Sequence, residues 1–191
     1  MATNNQVNVG LSGSTGTGTF VGVTSPVMVT PVLGVASATK ATFSSTSGII
    51  GTTTNNNANA LSVGEYVSSS VLVGAPVSLT STTPANVTSI SLTAGDWDVR
   101  GTVAFAFAGT TTSTVQRIGI SSTSATYGTN AAENNGAQFA QTLTGAATMV
   151  VNTGSMRFSL AGTTTVYLIA SATFATSTAT AYGFIGARRV R

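Results

Sequence analysis

Two aspartates, Asp96 and Asp98, flank the single tryptophan, Trp97, and come closer than any other side chains in this sequence to a catalytic pair. On a strand, residues two apart point to one face about 7 Å from each other. That spacing is loosely compatible with the paired carboxylates of glycoside hydrolysis. The surrounding residues favour another role. Ala94-Gly95-Asp96 has the composition of a turn, so Asp96 caps it, Trp97 enters the core, and Asp98 is free to pair with Arg100 on its own face. Of the other acids, Glu65 begins a strand and Glu133 lies in a loop, and both read as solvated. With no His and no Cys, the chain lacks the usual bases, thiol nucleophiles and soft metal ligands. No catalytic residue, metal site or cofactor is expected, and a polysaccharide depolymerase would have to work with very few acids.

Only 6% of the 191 residues are charged, against roughly a quarter in an ordinary soluble domain. The abundant Ser and Thr are explained by strand propensity and hydroxyl hydrogen bonding. The glycine-rich stretch Gly13 to Gly22 lacks the lysine of a phosphate-binding loop, since none occurs before Lys40. A net charge of +3 is spread thinly: Arg188, Arg189 and Arg191 close the chain, while Lys40, Arg100, Arg117 and Arg157 are far apart in sequence. A nucleic-acid groove needs several cations on one surface, so none is expected. The longest apolar run, Val166 to Ala175, falls well short of the roughly 20 residues of a spanning helix, so no membrane insertion is expected. The opening MATNNQVNVG has no secretory pattern, which points to synthesis in a cytosol.

These residues must be positioned by two unlike regions. Residues 1–60 are broken by Gly10, Gly13, Gly16, Gly18, Gly22 and Gly34, and Pro26 and Pro31 favour extended backbone. Phe20, Val21, Val27, Met28, Val32 and Leu33 are too apolar for a disordered segment, yet no matching partner strand is near. This reads as an extended arm that is ordered by another surface, ending in the linker GTTTNNNANA.

Residues 61–191 alternate in the two-residue rhythm of half-buried strands. Val103, Phe105 and Phe107 alternate with small residues, as do Met156, Phe158 and Leu160 with Arg157 and Ser159. Eight or nine strands are predicted, from the candidates 65–72, 76–79, 89–92, 96–108, 114–121, 148–151, 156–160, 165–172 and 179–188; only 131–143 has any helical potential, and Asn135-Gly136 argues against it. This is an all-β antiparallel sandwich, jelly-roll-like. Phe105, Phe107, Phe158 and Phe184 are placed in its core, Tyr127 and Phe139 outside. Two faces of small residues, Thr102, Ala104, Ala106 and Ala108 on one strand and Ala179, Ala181, Gly183 and Ala187 with Ile185 on another, are predicted to face outward against a neighbouring subunit.

Leu11 to Gly34 (LSGSTGTGTFVGVTSPVMVTPVLG) resembles a segment of the fibre proteins of tailed bacteriophages. The later phrases Gly64-Glu65-Tyr66, Val77 to Val103 with its Leu-Thr-Ala-Gly-Asp-Trp-Asp-Val, and the closing AYGFIGARRVR resemble a fibre or virion surface module. The resemblance implies a homotrimer in the virion, made in the host cytoplasm. Its arm would dock onto capsid, collar or tail proteins through Phe20, Val21, Val27, Met28, Val32 and Leu33, and its β domain would project. About ten linker residues stand where long tail fibres carry a shaft, which favours a short fibre or decoration. An alternative role is recognition of a host-surface glycan through loops, with Thr111, Thr112, Tyr127, Asn134 and Asn135 as contact residues.

Overall fold

The computed structural model describes residues 53–128 and 136–191. The eleven strands are β1 Tyr66–Val71, β2 Val77–Ser78, β3 Ala85–Leu92, β4 Gly95–Phe107, β5 Thr112–Ser121, β6 Gln138–Phe139, β7 Leu143–Thr144, β8 Thr148–Asn152, β9 Met156–Leu160, β10 Thr164–Ala175 and β11 Ala179–Arg189. No helix occurs among the described residues. Residues 136–143, the described part of the one stretch given helical potential, contain β6 and lead into β7.

The strands form two antiparallel sheets. In the first, β1, β11, β4 and β8 lie side by side, with β2 continuing the row of β1 along β11 and β9 continuing the row of β8 along β4. In the second the order is β3, β10, β5 and β6, with β7 continuing the last row. Taking each continued pair as one row, the chain visits the rows in the connectivity of a jelly roll: successive rows lie in opposite sheets except β5 and the β6/β7 row, which are neighbours in the second sheet. The expected fold is therefore the observed one.

Alternation dictates which face meets the core. On β4, Trp97, Val99, Val103, Phe105 and Phe107 are buried, and on β11 Ala179, Ala181, Ile185 and Ala187 join them. The second sheet contributes Ile118, Ile120, Val166, Leu168 and Ala170. The small residues of β11 thus face inward, opposite to the outward placement predicted for them. Close packing of two sheets requires such small residues wherever larger ones oppose them. Phe184 is also displaced from the expectation: it shares its parity with Tyr182 and Arg188 and lies on the outer face, half-buried. The small face of β4 does point outward, with Thr102, Ala104 and Ala106 beside Tyr182 and Phe184.

A bulge interrupts the edge of the first sheet. Thr102 faces Asn152 and Val99 faces Met156, so three residues of the edge, 153–155, oppose two of β4. The Thr153 backbone N–H donates to the Gly101 carbonyl at 2.8 Å, and Thr153 Oγ1 accepts from the Gly101 N–H at 2.8 Å. Both backbone groups of Gly101 are thereby paired across the bulge, and Asn152, opposite Thr102, lies on the sheet's outer face.

Candidate functional site

Charge, the scarcest commodity in this sequence, is concentrated at one end of one sheet. Apart from the Glu65–Arg189 pair and from Arg117 on the second sheet, every charged side chain among the described residues lies on or beside the outer face of the first sheet. These are Asp96, Asp98, Arg100, Arg157, Arg188 and Arg191.

Beneath that face the chain is fastened where it enters the sandwich. Arg189, at the end of β11, is almost completely buried and donates from Nε to Glu65 Oε2 at 2.9 Å. Its Nη1 donates to the Ala94 carbonyl at 2.9 Å and its Nη2 to Thr93 Oγ1, while the guanidinium sits 4.3 Å from the centre of the Trp97 ring. Gly95 makes this possible: its φ is +138°, and a Cβ there would lie 2.0 Å from Arg189 Nη1. The Glu65 carboxylate also accepts from the Leu61 N–H at 2.8 Å. The Arg189 hydrogen bond holds the Glu65 carboxyl below its ordinary range against the opposing effect of burial, and the Leu61 N–H adds to it. Asn57, inside the expected linker, extends the same joint by bonding both the N–H and the carbonyl of Tyr66.

Above this joint Asp96 accepts from Arg157 Nε and Nη2, both at 2.7 Å, and lies 3.0 Å from Arg191 Nε. Arg157 first, then Arg191, lower its pKa, again against burial. A carboxylate held ionised by two guanidinium groups is a fixed anion and a poor general acid. Asp98 forms no ion pair among the described residues; its cross-strand neighbours are Arg188 and Arg157, and the expected pairing with Arg100 is not made.

Two adjoining cavities run along this face on either side of Arg100. One, of about 310 Å³, is lined by Tyr66, Asp98, Arg100, Ser155, Gly186 and Arg188. The other, of about 400 Å³, is lined by Arg100, Gly101, Thr102, Asn152, Thr153 and Phe184. Gly186 is the low point between two rings: a Cβ there would lie 2.3 Å from the Tyr66 hydroxyl and 2.8 Å from Phe184 Cζ. Arg100 forms no ion pair among the described residues.

Of the residues expected to contact a receptor, Thr111, Thr112 and Tyr127 are described. Thr111 is fully buried, its hydroxyl donating to the Thr178 carbonyl at 2.9 Å. Thr112 is half-buried in β5, between Ala175 and Thr144. Tyr127, expected to be exposed, is bent back onto the second sheet. Its hydroxyl donates to the Arg117 carbonyl at 3.0 Å and meets Ser171 Oγ at 2.9 Å, and the Arg117 guanidinium stacks 3.9 Å from its ring centre. Burial raises its pKa despite the Ser171 and Arg117 contacts. The same loop is held by Asn86, whose amide bonds Ser124 Oγ and the Ala125 N–H. A flat ring can cover Gly119 because that residue has no side chain. Phe139 is exposed as expected. Asn134 and Asn135, and the arm residues Phe20, Val21, Val27, Met28, Val32 and Leu33, lie outside the described residues.

Arg100, Arg188, Tyr66 and Phe184 were not singled out by sequence reasoning as a group. The available signal was parity: Tyr182, Phe184 and Arg188 alternate with the small residues of β11 and so share one face, though parity does not say which face that is. What no sequence pattern gives is the register that lays Gly186 beside Arg100.

No protein family matches the chain, and no curated protein is similar to it. Among solved structures it is similar to a chain in the structure of infectious bursal disease virus Gx strain, at 13% identity and a TM-score of 0.37, over 65% of this chain. The match spans 30% of that chain, and a likeness of this strength carries no functional argument. Among the described residues no group of three or more His, Cys, Asp or Glu could hold a metal ion.

Proposed function

We propose that the chain is a non-enzymatic structural subunit of a virus particle, of the short-fibre or decoration type that its sequence resembles. In this reading the first 60 residues dock onto capsid, collar or tail proteins by lending strand edges and apolar anchors. Three copies of the sandwich then project together, and their arms multiply a weak contact into a durable one.

The observation that carries the reading is the uncharged half of the first sheet's outer face. Around Ala104, Ala106, Tyr182 and Thr148 there is no charged side chain among the described residues, and Val150 is 60% exposed beside Ala104. Leu72 and Val73, at the same end of the sheet, are exposed as well. A sheet face meant for water carries charges and long polar chains; a small apolar face suits contact with another copy. The joint at Glu65 and Arg189 supports the same reading, because it ties the segment that follows the arm to the closing strand.

Sedimentation equilibrium of the full chain tests this. A trimer is expected at micromolar concentration, and Val150→Arg is expected to give a monomer with an unchanged far-ultraviolet spectrum. A wild-type chain that stays monomeric at 100 micromolar, on the order of the weakest useful self-association, would remove the reading.

A further inference from the structure

We infer that the charged half of the first sheet's outer face is a binding cleft for an acidic saccharide, with Arg100 as the group that takes its carboxylate. The inference is independent of the virion assignment, since it concerns what the sandwich binds rather than what it is attached to.

Distribution of charge comes first. In a chain this poor in charge, four arginines and two aspartates are brought together on one face by three strands, β4, β9 and β11, and the chain end. Pairing with the buried Asp96 carboxylate accounts for Arg157 and Arg191, but not for Arg100 and Arg188, and solubility is better served by dispersed charge. Within the patch, Arg157 and Arg191 are engaged by Asp96, whereas Arg100 has no carboxylate partner among the described residues and lines both cavities. The planar fork of an arginine matches a carboxylate in two parallel hydrogen bonds. Arg188, which lies 5.9 Å from the centre of the Tyr66 ring, adds a second positive charge to the wall of the smaller cavity.

The rest of the lining specifies a sugar rather than a bare anion. Thr102, Asn152, Thr153, Ser155 and Asp98 supply neutral and acidic partners for ring hydroxyls. The Tyr66 and Phe184 rings over Gly186 supply flat apolar surface of the kind that packs against the C–H face of a pyranose. The two cavities, about 310 and 400 Å³, stand at the small end of ligand sites, roughly 300–1,000 Å³. They lie in line on either side of one arginine, so consecutive sugar units can occupy them with the acidic group between. The edge bulge is part of the site, since it presents Asn152, Thr153 and Ser155 to it, and bulges characteristically re-aim side chains beside functional surfaces.

Calorimetric titration of the full chain with sialyllactose and with tri-galacturonic acid tests the cleft, with lactose as the neutral counterpart and inorganic phosphate as the bare anion. The expected result is binding of at least one acidic sugar, at least tenfold weaker binding of lactose and phosphate, and at least tenfold loss in Arg100→Ala. Phe184→Ala is expected to weaken the sugar severalfold, and Ser122→Ala, an exposed loop change outside the cleft, to leave it unaltered. Failure of both acidic sugars to bind, equal binding of lactose or phosphate, or an unchanged affinity in Arg100→Ala would overturn the inference. So would a loss of self-association in Arg100→Ala, which would make this face an interface between copies. Unchanged far-ultraviolet spectra and unfolding midpoints of the variants separate a lost contact from a lost fold.

Discussion

Glu65→Ala isolates the joint between the start of the sandwich and its last strand. The substitution leaves Arg189 with its hydrogen bonds to Thr93 and Ala94 and its position over Trp97, but without a counter-charge, in a place where its side chain is 4% exposed. Removing one partner of a buried ion pair costs about 3–5 kcal/mol. Because two hydrogen bonds and the ring contact survive, we place this variant near the lower end, about 3 kcal/mol. With a urea dependence of about 1–3 kcal/mol per molar, the unfolding midpoint is expected to fall by about 1 M or more. The single tryptophan lies beneath the guanidinium, so its fluorescence reports the joint while far-ultraviolet circular dichroism reports the sheets. Removing both charges with Glu65→Leu and Arg189→Met is expected to recover most of the loss, because no charge is then left buried and unpaired. A cost below about 1 kcal/mol for Glu65→Ala, or a double variant clearly worse than the single one, would show that the pair does not hold the joint.

Acid should weaken the protein through Glu65 and Asp96. Both are held below their ordinary pKa, so the unfolded chain takes up protons first; the stabilisation is complete above about pH 4.5 and disappears as the pH falls through the lower folded values, measurable as thermal midpoints across pH 2–6. Tyr127→Phe removes the hydroxyl that bonds the Arg117 carbonyl and Ser171, and is expected to cost about 1–2 kcal/mol and to speed proteolysis within residues 122–128. Gly183→Ala places a Cβ 2.1 Å from the Thr102 carbonyl oxygen of the neighbouring strand and is expected to destabilise by at least about 2 kcal/mol in urea titration. Gly186→Ala meets only the ends of the Tyr66 and Phe184 rings, which can swing aside, so it should leave the urea midpoint nearly unchanged while weakening any acidic sugar bound in the cleft.

The strands were legible because their period is local. Alternation along β4 and β9 and the turn residues at Gly95 and Asn152-Thr153-Gly154 mark elements within a residue or two of where they lie. The two-residue pieces β6 and β7 escaped, because pairs as short as Gln138–Phe139 have no period to read and exist only through their pairing with β5. The facing of β11 was read the wrong way round for a related reason. Alternation separates two sets of residues, but only the packing partner decides which set goes inside. Tyr127 belongs to the same class: a tyrosine in a long polar connection looks exposed until Gly119 and Arg117 on another strand provide the place where it lies.

Composition by itself determined the poverty in charge, the absence of His and Cys, and a chain committed to strands, because these follow from side-chain chemistry and short-range periodicity. Tertiary structure alone decided that the few charges meet. Asp96, Arg100, Arg157, Arg188 and Arg191 are scattered along the sequence, and only the antiparallel register of β11, β4 and β9 collects them on one face. Register is a property of pairs of strands, set by the fit of inward side chains across the whole sandwich, and no single segment contains it.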